Sequence, residues 1–164
     1  MAVWLYLAYM KQPSWIKDAY KGTLIHWSKT QSQIYQRLGE HGINEIRFTN
    51  LKERFALEFL VSLANEQKPR AVRIVVPLKV NSSDENKRTQ ELNIIHRVLL
   101  NHIKAKFVAI GSGLTEFEEE FMAHLVITDK DGNSTTIGEM LLPQYKENLE
   151  SGKQKDFKLL DDGK

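Results

Sequence analysis

The sequence predicts an α+β fold in which an antiparallel sheet packs against one long amphipathic helix. Four short segments carry strand-like residues, at 23–27, 45–49, 54–61 and 71–78. A run from about 85 to 110 then repeats apolar residues every three or four positions, which is helical spacing. A short acidic segment and two strand-like runs around a turn follow. They predict a short capped helix and a C-terminal hairpin.

The size and composition of the chain fit one globular domain. The 164 residues are 41% hydrophobic and 27% charged, as in an ordinary water-soluble protein. The absence of cysteine excludes disulfides and cysteine-bound zinc. We expect a single domain over residues 1–150, with 1–22 as an N-terminal extension and 151–164 as a mobile tail.

The apolar start, MAVWLYLAYM, is too short to cross a membrane. It has about ten residues before Lys11, whereas a membrane span needs roughly 20. No positive region precedes it, as a secretory signal requires. We therefore expect a buried strand or short helix there, with an interfacial or partner-binding segment as the alternative. We expect no membrane partner and a location in the cytoplasm of the host cell.

The first half of the chain alternates between helix and strand signals. Ser28 with Gln31 forms a capping-box pattern, so that a helix is expected to follow a strand at 23–27 and to end at Gly39. The segment 54–61 alternates in its first half, with Phe55, Leu57 and Phe59 on one side and Arg54 and Glu58 on the other, as a half-buried strand does. Pro77 places the strand at 71–78 on a sheet edge or ends it there.

The long helix has recognisable start and stop signals. Ser83 or Asp84 can cap its first turn, and Gly111-Ser112-Gly113 breaks it. Thr115 with Glu118 then resembles a second capping box. Phe117 and Phe121 lie four residues apart, so that they pin the short helix to the core.

The C-terminal hairpin is expected to turn at Asp131-Gly132, between strands at 124–128 and 135–137. Asp129, Asp131 and Asn133 also imitate the start of an EF-hand loop. Ser134 occupies the position that needs glycine, so a plain turn is favoured. A last helix, 138–150, should be interrupted at Pro143.

The charge of the chain changes sign along its length. Residues 1–110 hold 17 Lys and Arg against 9 Asp and Glu, and residues 111–164 hold 6 against 12. A basic region of this kind is typical of proteins that bind polyanions. The sequence therefore predicts a nucleic-acid surface formed by Arg73, Arg88, Arg97, Lys104 and Lys106.

The acidic residues Glu118, Glu119 and Glu120 have two interpretations. In the first turn of a helix, the helix dipole stabilises negative side chains, and these residues then serve stability alone. They can instead form a contact for a basic partner. A metal-dependent hydrolase using Glu118, Glu119 or His124 is a further alternative. No two histidines have the four-residue spacing of a helical metal site, and no nucleophile elbow, Walker loop or dinucleotide motif is present. We therefore assign no catalytic residue, no metal ligand and no cofactor.

Three stretches of the sequence carry a resemblance that runs from Ser28 to about Pro143. The first places Ser28, Ile34 and Leu38 before His41-Gly42. The most specific is RVLLNHIKAKFVAIGSGLTEFEEEFMAHLVI (97–127), and TIGEMLLPQ (136–144) follows the turn. Together they resemble a family of small uncharacterised proteins encoded by phages and related mobile elements. The resemblance implies a role in phage or mobile-element biology. It transfers no catalytic residue, because that family has no assigned activity.

The sequence thus predicts a non-enzymatic nucleic-acid-binding accessory protein of phage or mobile-element DNA metabolism, acting on single- or double-stranded nucleic acid. The alternative is a protein-interaction or assembly module, in which the basic region of one chain meets the acidic 116–120 region of another copy or of a partner. Three consecutive strands followed by a long helix also occur in single-strand annealing proteins, which is a likeness of architecture only.

Overall fold

A computed structural model of the protein describes residues 19–64, 66–79 and 83–152, and it confirms the α+β class. The predicted segment 1–10 and most of the predicted tail lie outside these residues. The elements in chain order are α1 (Trp27–Gly39), β1 (Ile46–Asn50), β2 (Arg54–Val61), β3 (Arg70–Pro77), α2 (Glu85–Gly111), α3 (Phe117–Phe121), a 3-10 turn (Met122–His124), β4 (Val126–Thr128), β5 (Ser134–Thr136) and α4 (Ile137–Glu150).

The main sheet is an antiparallel meander in the order β1-β2-β3. Alternation along β2 buries every second residue, from Phe55 to Val61, on one face. Leu57 lies opposite Phe48 on β1 and Ile74 on β3. The inner face of the sheet is therefore a continuous apolar surface.

Helix α2 lies against this inner face, as its apolar spacing predicts. It buries the residues Leu92, Leu99, Leu100, Ile103 and Phe107. Asp84 is the N-cap, and its carboxylate accepts a hydrogen bond from the Lys87 amide at 3.1 Å. Helix α1 packs beside α2 and adds Ile34 and Leu38 to the core.

The C-terminal half closes the core at the edge formed by β3. Phe121 on α3 is fully buried and meets Phe59 edge-on, with ring centroids 5.8 Å apart. Leu125 forms an isolated antiparallel bridge with Val72. The β4-β5 hairpin therefore starts beside β3, and its turn takes positive φ at Gly132, as expected.

The predicted strand at 23–27 is wrong, because the chain enters α1 at Trp27. The His26 ring accepts a hydrogen bond from the Ser28 amide at 3.3 Å, so His26 rather than Ser28 is the N-cap. The Trp27 amide donates to Asn93 Oδ1 on α2 at 2.7 Å. Side-chain acceptors thus satisfy the amides that a neighbouring strand would have bonded.

Three boundaries also differ from the prediction. The cap of α3 lies one residue later, where the Glu116 amide donates to the Glu119 carboxylate at 2.9 Å. His124 belongs to the 3-10 turn, so β4 begins at Val126. Helix α4 continues through Pro143. Proline removes one amide and one helical hydrogen bond, and the carbonyl left over lies in an exposed helix where water reaches it.

Within the described ranges, no helix is long and apolar enough to span a bilayer.

Candidate functional site

Arg88 joins the start of α2 to the turn between β1 and β2. Its guanidinium donates to the carbonyls of Lys52 and Leu51 at 2.8 and 2.7 Å, and to Asn50 Oδ1 at 2.9 Å. Three acceptors from one turn hold this side chain. Its predicted role in phosphate binding therefore competes with an intramolecular role.

Arg73 lies on the outer face of the sheet in a ladder of three charges. Glu58, on the central strand, accepts from Arg73 Nε at 2.7 Å and from Arg47 Nε at 2.8 Å. Burial alone would raise the pKa of Glu58, but the hydrogen bonds from the two arginines outweigh burial and lower it. Arg73 also reaches the Ser134 carbonyl at 3.5 Å.

Arg97 and Lys104 lie on the side of α2 that faces away from the sheet. Arg97 donates to Gln33 Oε1 on α1 at 3.1 Å, and its guanidinium lies 5.9 Å from the centre of the Tyr20 ring. Lys104 is exposed and has no partner among the described residues. Of the five predicted phosphate-binding cations, Lys104 is the one whose side chain has no partner of any kind within the described part of the chain, whereas Arg88 and Arg97 have neutral partners.

Lys106 is paired with the acidic helix. Its ammonium lies 3.2 Å from a Glu120 carboxylate oxygen and 5.2 Å from the centre of the Phe121 ring. It also donates to the Glu120 carbonyl. The Lys106 side chain is 14% exposed. Hydrogen bonds from Lys106 and then Thr115 lower the pKa of Glu120.

The other two predicted partner-binding carboxylates also act within the chain. Glu118 lies 3.4 Å from the guanidinium of Arg70, which bonds Glu66 as well. Glu119 caps α3 through the Glu116 amide. The acidic segment therefore neutralises cations of the same molecule, and part of the charge split in the sequence cancels in space.

His102 on α2 and His124 in the 3-10 turn form a pair with ring centroids 6.2 Å apart. Burial is the main cause that lowers the pKa of both rings, and nearby Lys106 lowers them further. Among the described residues, no three His, Cys, Asp or Glu side chains are placed to hold a metal ion.

In the hairpin, the Asp129 carboxylate accepts from the amides of Asp131 and Asn133 at 2.9 and 2.8 Å.

Helix α4 exposes an apolar stripe, which we call the α4 stripe, formed by Leu141, Leu142, Tyr145 and Leu149. These side chains are 44%, 40%, 52% and 47% exposed. Every residue of α4 from Glu139 onward is exposed, while Gly138 is buried against the 3-10 turn. The helix is thus anchored at its first turn and extends from the domain with its apolar side open to solvent.

A second exposed apolar surface, which we call the α2 stripe, lies on the outer side of α2. It is formed by Val98, Ala105 and Val108, and the two valines are 46% and 61% exposed. Asn101 lies between them and donates to the Tyr20 hydroxyl. Spacings of seven and three residues place the members of the stripe on one side of the helix.

A shallow depression of about 540 Å³ lies between the end of α2 and α3, lined by Ile110, Leu114, Phe117 and neighbouring residues. Leu114 is 77% exposed, so its rim is apolar. It gathers no reactive side chain besides the carboxylates already described.

Sequence reasoning missed the α4 stripe, although its signal is present. Leu141, Tyr145 and Leu149 recur every four residues, which indicates an apolar helix face. Periodicity cannot distinguish a face that packs on its own core from one left uncovered.

Comparison of the chain with protein-family models, curated proteins and solved structures finds no match.

Proposed function

We propose that the protein is a protein-interaction module that binds its partner through the α4 stripe. The observation that carries this proposal is the 14-residue helix α4. Every residue from Glu139 to Glu150 is exposed, including the apolar residues of the stripe. A contiguous exposed apolar surface in a water-soluble domain marks an interaction site, because leaving it uncovered forfeits roughly 25 cal/mol per Å².

The charged surfaces favour protein interaction over nucleic-acid binding as the function. Arg73, Arg88 and Lys106 each hold a part of their own molecule together. A phosphate that bound them would have to displace carboxylate or carbonyl acceptors already within hydrogen-bond distance. No residue in the described ranges competes for the α4 stripe in this way.

The test is a double substitution, Leu141→Glu with Leu149→Glu, in the intact chain. Glutamate keeps helix propensity but makes burial of the stripe costly. Sedimentation velocity over a concentration series, together with affinity capture on the immobilised chain, measures binding. We expect the wild-type protein to associate or to retain a partner, and the double variant to lose that binding.

The matched control is Lys146→Glu, which changes the net charge by the same amount but replaces a residue that does not belong to the α4 stripe. It should bind like the wild-type protein. The proposal is contradicted if the wild-type protein stays monomeric and retains nothing that the double variant does not also retain.

A second candidate function is nucleic-acid binding, in an accessory role in phage or mobile-element DNA metabolism. It is favoured by the exposed cations that remain. Arg54 and Lys104 are exposed without a partner among the described residues, and the Arg47 side chain is 72% exposed despite its bond to Glu58.

Fluorescence anisotropy with labelled single- and double-stranded oligonucleotides across a salt series tests this second candidate. We expect binding that weakens with salt, and a salt slope reduced by about one for each contacting cation replaced by alanine at Arg47, Arg54 or Lys104. Absence of binding at about 50 mM salt would rule it out.

A further inference from the structure

The α2 stripe is unusual for the outer side of a surface helix. That side normally carries charged and polar residues, yet here two valines and an alanine share it with Arg97, Asn101 and Lys104, and the valines are about half exposed or more. Asn101 donates to the Tyr20 hydroxyl on this side of the helix. Ala105 is small, so a second helix can approach the α2 backbone closely at this position.

The α4 stripe and the α2 stripe match in length. At about 1.5 Å per residue, Leu141 to Leu149 spans roughly 12 Å along α4, and Val98 to Val108 spans roughly 15 Å along α2. Each stripe is one helix face wide. One helix can therefore lie along the other and bury both stripes together.

The two helices carry opposite net charges. Arg97 and the exposed Lys104 flank the α2 stripe, and residues 97–111 contain no carboxylate. Helix α4 contains Glu139, Glu147 and Glu150 against a single lysine. Opposite charges beside an apolar contact favour this pairing and disfavour pairing of α4 with a second α4.

We propose that α4 of one copy docks onto the α2 stripe of a second copy of this chain, an inference that rests on the proposed interaction function. The residues of both stripes are exposed within the part of the chain that the structure describes, and the match in length and charge favours a second copy as the cover. The two surfaces differ, so the contact is head-to-tail, and each added copy leaves one α4 and one α2 stripe free. The assembly is a closed ring or an open filament.

The experiment measures molar mass by light scattering, over a concentration series, for the intact wild-type chain and two variants. One variant is Leu141→Glu with Leu149→Glu, and the other is Val108→Glu. We expect the wild-type chain to form species larger than a dimer. Each variant alone should associate at least about tenfold more weakly.

The decisive step mixes the two variants in equal amounts. The α4 variant keeps a native α2 stripe and the Val108→Glu variant keeps a native α4, so one intact contact forms between them. We expect the mixture to yield a heterodimer and no larger species. Recovery of association also shows that both variants are folded. The control Leu24→Glu replaces a residue that is 97% exposed elsewhere, and it should assemble like the wild-type chain.

Three results overturn this inference. The first is a wild-type chain that is monomeric at every concentration. The proposed interaction function would still stand in that case if α4 captures a different protein. If the Val108→Glu variant self-associates as strongly as the wild-type protein, α4 pairs with α4 instead. A mixture that stays monomeric while both variants show native circular dichroism excludes the head-to-tail contact. The interaction function itself fails if the α4 variant retains all wild-type binding.

Discussion

Residue 138 has no room for a side chain unless the surrounding backbone shifts. A Cβ built on Gly138 would lie 2.7 Å from the Ala123 carbonyl oxygen and 3.3 Å from the Ala123 Cβ. The obstruction is backbone of the 3-10 turn, which cannot rotate away as the end of a long side chain does. Gly138 therefore determines how closely α4 starts against the body of the domain.

We expect Gly138→Ala to destabilise the protein by about 1–3 kcal/mol, because overpacking forces a backbone shift. Urea unfolding followed by circular dichroism measures the change. The substitution gains helix propensity, which works in the opposite direction, so a loss of stability isolates the steric effect.

The control is Gly111→Ala, where the added Cβ meets nothing within 4 Å and φ is not positive. Here the same chemical change should leave stability unchanged or raise it by about 0.4–1 kcal/mol. Equal effects at the two glycines would show that close packing at Ala123 is unimportant.

At the scale of elements, Arg88 connects the first turn of α2 to the turn between β1 and β2. We expect Arg88→Ala to cost about 1–3 kcal/mol of unfolding free energy, because three acceptors lose a charged donor. Amide hydrogen exchange should also speed up in residues 50–53. Urea unfolding and exchange measured on one sample test both effects.

Lys87→Ala is the matched control, since Lys87 is the neighbouring cation, its side chain is 75% exposed, and its ion pair with Asp84 spans three residues on the surface. Such pairs contribute about 0–1 kcal/mol. If Arg88→Ala changed stability and exchange no more than Lys87→Ala, the connecting role of Arg88 would be refuted.

The elements that local pattern predicted well are those whose periodicity coincides with burial. Helix α2 and strand β2 are examples, because both present one apolar face to the same core. The segment 23–27 failed, because its β-branched and aromatic residues favour a strand while its partner is Asn93, 66 residues away. Local propensity carries no information about such a partner.

At the scale of the whole molecule, the candidate site was harder to predict than the fold. The basic residues and the acidic segment are evident from the sequence, but their pairing depends on how α3 packs beside α2. The bond from Lys106 to Glu120 and that from Arg70 to Glu118 form only after folding. A charge count along the chain cannot distinguish a binding face from an internal pair.

Three histidines make the stability of the whole molecule depend on pH: His96 is buried, His124 is half-buried and His102 lies at the surface. Loss of hydration around the ring is the main cause that lowers the pKa of each below the ordinary value of 6.5. Below about pH 6.5 the unfolded chain therefore binds protons that the folded chain does not. The free energy of unfolding should fall as pH decreases from 6.5.

Carboxylates act in a separate range. The pKa values of Glu58, Glu120 and Glu139 are lowered from an ordinary value of 4.5, so their contribution is present above that pH and is lost as pH falls below it. Urea unfolding between about pH 5 and pH 6.5 therefore reports mainly on the histidines.

The double variant His102→Gln with His124→Gln keeps His96 as the one group of the three that titrates in this range. We expect its free energy of unfolding to fall less steeply between pH 6.5 and about pH 5 than that of the wild-type protein. A wild-type stability that is constant or rises as pH decreases through this range would mean that the folded protein accepts protons on these rings. The packing of His96 against Phe55, with ring centroids 4.5 Å apart, would then open more readily than its burial indicates.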